Sequence, residues 1–361
     1  MELQPIPSRW TRYFFWFILS SFSVVFAEVL SGAFPFPFLS LWGWIMLLPL
    51  YGLHTLVLAT VLFRRGRPNL YTLFLAGALF GLYEAYITKV VWSPTWGPAL
   101  FTVGGVAVVE TVVLVLFWHA FLAFILPLVF GQLLLTRSSE TVSRWPDRIF
   151  HRFKPGKVGK LFLAFAVLAG MTQSNAPLGA VLTVVSALAN ALILVALVLV
   201  WRKGVKGQEK YSMESLLPTR IEFLILLGAL AVIYAFSTIA IRREFIPPVR
   251  LQAVVWLIYA VIVALWVAHL RKSRVEPPGS EVKVAFSWRT LSWGLLMFVA
   301  SSALTKATSA GIFIMLGWWL VGGTMGLAIF VFSVRRAMGR APVASRTAVP
   351  VEALTRDVGV Q

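Results

Sequence analysis

The stretch LYTLFLAGALFGLYEAYITKVVWSPTWGP, from Leu70 to Pro98, decides the fold. It follows a basic cluster, Arg64, Arg65 and Arg67, and stays apolar for about twenty residues, the length that crosses a bilayer as a helix. One carboxylate, Glu84, interrupts the run, which closes on Lys89 and a Trp/Pro turn. On a helix Gly77, Gly81, Glu84 and Thr88 fall at i, i+4, i+7 and i+11, a single stripe. Small residues on a stripe let a second helix approach closely, so a carboxylate on that stripe faces protein rather than lipid. An ionisable group at such depth is costly and marks a candidate functional site.

The rest of the chain points to the same solvent. Of its 361 residues 59% are hydrophobic and only 13% charged, with a mean hydropathy of +0.84. Soluble domains carry roughly 25% charged residues. The expected fold class is therefore all-α, a polytopic transmembrane helical bundle. Apolar runs predict ten spans, at 11–31, 40–63, 70–91, 101–127, 159–174, 178–201, 221–241, 250–270, 288–305 and 310–334. The first run is not followed by a small-residue cleavage site and reads as a retained span. The fourth apolar run continues to Leu135, and Pro127 is expected to kink it, laying 128–135 along the interface. Pro49 is expected to break the second run in the same way. The run 159–174 is short and ends in Gln173-Ser174-Asn175-Ala176-Pro177, so it spans or re-enters.

Positive charge sets the topology. The +18 net charge comes from Lys and Arg in short loops, which signals orientation rather than nucleic-acid binding. With the N-terminus cytoplasmic, 27 of the 32 Lys and Arg fall inside and 5 outside. That asymmetry predicts both termini on the cytoplasmic face of the cell membrane. Composition then divides the chain into a four-span bundle at 1–135, a basic loop at 136–158, a six-span bundle at 159–334 and a disordered tail at 335–361. Intramembrane carboxylates are confined to the first bundle. Glu222 and His269, in the second, lie near the ends of spans and are expected to reach headgroups or water. The absence of cysteine excludes disulfides and thiol nucleophiles.

Glu28, Glu84 and Glu110 come from three spans, yet all lie within about 15 Å of the outer surface at 1.5 Å per residue. Agreement in depth predicts one polar cavity opening outward. Glu84 and Glu110 are expected to face each other there, one of them neutralised by a proton or an ion. Lys89, Tyr86 and Trp92 are the polar neighbours expected at this site. Lys89 lies five residues from Glu84, about 140° around a helix, so its charge is expected to meet Glu28 or Glu110 on a neighbour, or the surface. His119, in LVLFWHAFLAF, is nine residues from Glu110, about 180° around a straight helix and about 13 Å along it, so these two do not converge. His54 follows Pro49 at a depth similar to His119, with Tyr51 and Thr55 beside it; a pairing of the two histidines competes with plain interhelical hydrogen bonding. No metal-ligand or phosphate-loop motif is present. Near the C-terminal end GWWLVGGTMG carries Gly322 and Gly326 at GxxxG spacing, a close-packing face.

The run LYGLHTLVLATVLFRRGRPNLYTLFLAGALFGLYEAYITK, with VLFWHAFLAFILPLVFGQLLL after it, resembles a group of uncharacterised prokaryotic polytopic membrane proteins. The resemblance covers about residues 50–135 and implies a membrane protein without assigning an activity. A remoter similarity is to the CAAX-protease and bacteriocin-processing intramembrane peptidases, whose motifs are EExxxR and FxxxH. Glu84, Lys89 and His119 would stand at matching positions, with Ala85, Lys89 and Val115 departing from the pattern.

These readings lead to a transporter or ligand-binding permease whose outward cavity uses Glu28, Glu84 and Glu110 to bind a small cation, a proton or a small molecule. The alternative is a degenerate intramembrane hydrolase or lipid-modifying enzyme using Glu84 and His119. A noncatalytic assembly protein is the third. The bilayer is the expected partner, nucleic acid is not, and no cofactor is indicated. The enzyme reading requires His119 within hydrogen-bond reach of a glutamate from another span.

Overall fold

The computed structural model describes residues 6–136, 140–141, 155–274, 287–308 and 310–339. Most of the basic loop at 136–158 and of the tail at 335–361 lies outside these. Among the described residues ten long helices follow one another: α1 Arg9–Val29, α2 Gly43–Arg65, α3 Leu70–Ile87, α4 Val108–Thr136, α5 Pro155–Gln173, α6 Ala180–Gly204, α7 Arg220–Ala240, α8 Val249–Ser273, α9 Trp288–Thr308 and α10 Gly311–Met338. They fall on the ten predicted runs. Eight are long and apolar enough to cross a membrane. The other two are α5, whose apolar part is short, and α9, which carries Arg289, Lys306 and several Ser and Thr. The chain is an all-α polytopic bundle.

Local sequence sets the helix ends. Asn69 and Thr72 form a reciprocal capping box that starts α3, and Thr219 and Glu222 do the same for α7. Arg64 and Arg65, Arg202 and Lys203, Arg271 and Lys272, and Arg335 and Arg336 occupy the last turns of α2, α6, α8 and α10. Cations there complement the negative ends of the helix dipoles.

Neither proline breaks its helix. Residues 43–47 of α2 and 114–125 of α4 are wound as π-helix, and Pro49 and Pro127 stand two residues beyond the ends of those segments. A proline has no N–H to donate and its ring crowds the carbonyl four residues back. A wider turn with bonds running five residues back relieves both problems, so α4 continues unbroken to Thr136.

The start of the fourth span also differs from expectation. Residues 101–107 are not helical. Thr102–Val103 pairs with Val106–Ala107 as a short antiparallel hairpin. Gly104 and Gly105 form its turn with φ of 58° and 83°, a two-residue connection that needs positive φ and therefore glycine. These glycines serve the turn and not helix contact, and α4 begins only at Val108.

The core sits in α1 to α4. Between 67% and 72% of the most apolar stretch of each is buried, against 6–28% for α6, α7, α8 and α10, whose outer faces present Leu, Ile, Val and Phe to the bilayer. Within that core α4 is held between two glycine faces. A Cβ on Gly77 would lie 2.6 Å from the Ala120 backbone, and one on Gly81 2.9 Å from Val115 Cα and His119 Cβ. From the other side a Cβ on Gly326 would lie 2.3 Å from the Leu116 carbonyl oxygen. Both expected small-residue stripes thus pack on the same π-helical segment. His269 departs from expectation: it is buried, stacked on Tyr71, with Nε2 2.9 Å from the Ser333 carbonyl.

Candidate functional site

Glu84 and His119 face each other across the α3–α4 contact that Gly81 makes possible. Glu84 Oε2 lies 3.3 Å from His119 Nε2, with the side chains 13% and 5% exposed. The geometry follows from chain direction. Side chains on a helix lean toward its N-terminus, so Glu84 on α3 and His119 on the antiparallel α4 lean toward each other. The other ring nitrogen is fixed as well: His119 Nδ1 lies 3.0 Å from the Leu114 carbonyl oxygen, five residues back within the π-helix. A carbonyl only accepts, so Nδ1 carries a hydrogen and Nε2 is left to share a proton with the carboxyl group.

A second pair stands beside the first. Glu28 lies in a π-helical turn at residues 25–29, and its Oε1 accepts a hydrogen bond from the Tyr51 hydroxyl. The Tyr51 ring stacks near the His119 imidazole, centroids 6.4 Å apart, and the Phe80 ring of α3 packs near both, at 5.4 Å from Tyr51 and 6.0 Å from His119. Trp118 Nε1 donates to the Ala27 carbonyl at 3.0 Å, tying α4 to the turn that carries Glu28. Four helices therefore bring Glu28, Tyr51, Glu84 and His119 together in the protein core. Below them Thr55 donates to Ser23 at 3.2 Å and Ser23 to the Ala123 carbonyl at 2.6 Å, a polar thread on the same α1–α2 seam.

The remaining expected site residues go elsewhere. Glu110 is not Glu84's partner. Because α4 starts at Val108, Glu110 falls in its first turn, where a carboxylate suits the helix dipole, and its Oε1 accepts from the Leu100 N–H at 3.3 Å. Among the described residues Lys89 forms no ion pair with a carboxylate. Its buried ammonium donates to the carbonyls of Ile87 at 2.8 Å and Thr238 at 2.6 Å, closing the C-terminal ends of α3 and α7. Tyr86 donates to Gln252 Oε1 at 3.1 Å in the first turn of α8, and Trp92 to the Phe245 carbonyl at 2.6 Å in the α7–α8 connection. His54 does not hydrogen-bond His119; its Nδ1 is 2.7 Å from the Leu50 carbonyl, and its ring packs on Phe80 and Tyr83. Tyr51 is the residue that sequence reasoning passed over. Its signal was the spacing of Tyr51, His54 and Thr55 at i, i+3 and i+4, a polar stripe on an otherwise apolar helix. Among the described residues no group of three or more His, Asp or Glu is arranged to hold a metal ion.

The model of an uncharacterised membrane protein family matches residues 17–349, which takes in all four site residues. The chain belongs to this family. A relative in Archaeoglobus fulgidus, described only as an uncharacterised protein, is 36% identical over 274 residues, covering 74% of this chain and 82% of the relative. No solved structure matches. These findings bear out a resemblance to uncharacterised membrane proteins and lend none to the intramembrane CAAX peptidases.

Proposed function

We propose that this family member is a proton-coupled permease for a small cation, with Glu28, Tyr51, Glu84 and His119 as the exchange site. The observation that carries the reading is the 3.3 Å contact of Glu84 with His119 beside Glu28 and Tyr51. Burying an uncompensated charge costs several kcal/mol. A carboxyl and an imidazole sharing one proton are neutral as a pair, whichever atom holds it. Losing that proton leaves a net negative charge, which an entering cation would offset. Binding of cation and proton are then mutually exclusive, the requirement for coupling. The charge split of the loops supports placing both termini on the cytoplasmic side of the cell membrane, with the site in the outer half.

The test uses protein reconstituted in liposomes with an internal pH dye and an imposed pH gradient. One member of a panel of alkali, alkaline-earth and alkylammonium cations should collapse the gradient, and Glu84→Gln should abolish the response. A panel that leaves the gradient untouched overturns the reading.

A second reading, an intramembrane acid–base enzyme, is favoured by the anchoring of His119 Nδ1 on Leu114. A third group orienting the base is how acid–base pairs are commonly held for catalysis. Detergent-solubilised protein separates the two. Chemistry on added labelled lipid survives without compartments; transport does not.

A further inference from the structure

Away from the Glu84–His119 site, α1, α4, α5, α6 and α9 line a half-open groove with a cavity volume of about 120 Å³, its wall entirely Phe, Val, Leu, Ala and Gly. Phe26, Phe130 and Phe165 form one side, with ring centroids 5.0–5.8 Å apart. The lining runs from Phe162 to Ala169 on α5, from Ala191 to Val198 on α6 and from Leu291 to Phe298 on α9. Each stretch rises about 10 Å. A dry apolar cavity of roughly 150 Å³ admits a benzene ring, so this one takes a segment of a single hydrocarbon chain and not a whole lipid.

One end of the cavity is basic. Arg202 Nε donates to the carbonyl of Leu134, a lining residue, at 3.0 Å, and its guanidinium lies 4.8 Å from the centre of the Trp288 ring, one turn from Leu291. Lys160, Lys203 and Arg289 stand at the same ends of α5, α6 and α9, and none of these three helices contains Asp or Glu. Trp288, which is 43% exposed, marks this level as the membrane interface, where indoles concentrate. Apolar wall and cationic rim match the two ends of one molecule.

We propose that this groove seats one acyl chain of an anionic membrane phospholipid, with its phosphate at Arg202. The guanidinium suits phosphate by shape as well as charge, and the chain fills a cavity that would otherwise lack contacts on one side. The site is independent of the exchange reading, since it shares no residue with it.

The test takes the full-length protein in detergent, stripped of lipid, and titrates it with phosphatidylglycerol or phosphatidylcholine while native mass spectrometry counts bound molecules. One phosphatidylglycerol should bind per chain, about fivefold tighter than phosphatidylcholine, the ratio expected of one interfacial cation. Arg202→Gln should reduce phosphatidylglycerol to the level of phosphatidylcholine. Ala191→Phe should abolish binding of both; Val195→Phe, one turn along the same wall, serves where that variant does not fold. Equal affinity of the two lipids for the unaltered protein overturns the proposal, as does unchanged binding to the wall variants. Competition by inorganic phosphate alone would place recognition on the anion without the chain seat, and a lipid-free dimer that the wall variants dissociate would make a second copy the occupant. Either result also overturns it.

Discussion

Glu84 on α3 and His119 on α4 are held 3.3 Å apart because Gly81, one turn from Glu84, lets the two helices touch at Val115. The pair is a consequence of backbone approach. It is also the feature on which most of the site's behaviour should depend.

Removing either partner should therefore have coupled effects. Glu84→Gln keeps the shape of the side chain and His119→Gln keeps a polar group, so both variants should insert and fold. A double-mutant cycle read by thermal unfolding in detergent should give a coupling energy of about 0.5–3 kcal/mol. Additive effects would show that the two groups do not interact.

Tyr51→Phe deletes only the hydroxyl that donates to Glu28. Loss of a hydrogen bond to a carboxyl group should cost about 1.5–3 kcal/mol. The carboxyl stretching bands in infrared spectra should shift in this variant and stay fixed in Tyr83→Phe, whose hydroxyl donates to the Leu230 backbone carbonyl.

Gly326→Val should destabilise strongly, since the first added carbon would sit 2.3 Å from the Leu116 oxygen. Overpacking of this kind costs about 1–3 kcal/mol or more. Gly317→Ala on the same helix meets nothing within 4 Å. Its melting temperature should hold or rise, because glycine within a helix costs about 0.5–1 kcal/mol relative to alanine.

Lys89→Met should lower the melting temperature and leave cation-driven proton exchange intact. The ammonium bonds carbonyls at the ends of α3 and α7 and no carboxylate, and leaving those carbonyls bare should cost about 1–3 kcal/mol. Loss of exchange without loss of stability would return Lys89 to the site.

Topology is checked by reporter fusions. Fusions after Arg67 and after Gly207 should report the cytoplasm and one after Pro98 the outside. An outside signal from either basic loop would reverse the charge argument.

The sequence by itself determined the solvent, the helical class and the positions of the ten helices, because hydropathy over a span is a local sum that needs no partner. It also located Glu84 on a glycine stripe that faces protein, since the stripe is a property of one helix. Which group Glu84 meets was decided only by tertiary structure. An ideal α-helical count from residue 101 put Glu110 opposite it. The Gly104–Gly105 turn delayed α4 to Val108, and twelve π-helical residues then changed its register. Neither event leaves a periodic signal in a run of apolar residues. Lys89 likewise looked like a counter-charge until the end of α7, about 150 residues away in the chain, supplied the carbonyls that hold it. Partners fixed by long-range packing are not encoded in local spacing, and that is why Glu28, Glu84 and His119 stood out as candidates in the sequence while their pairing, and the place of Tyr51 beside them, did not.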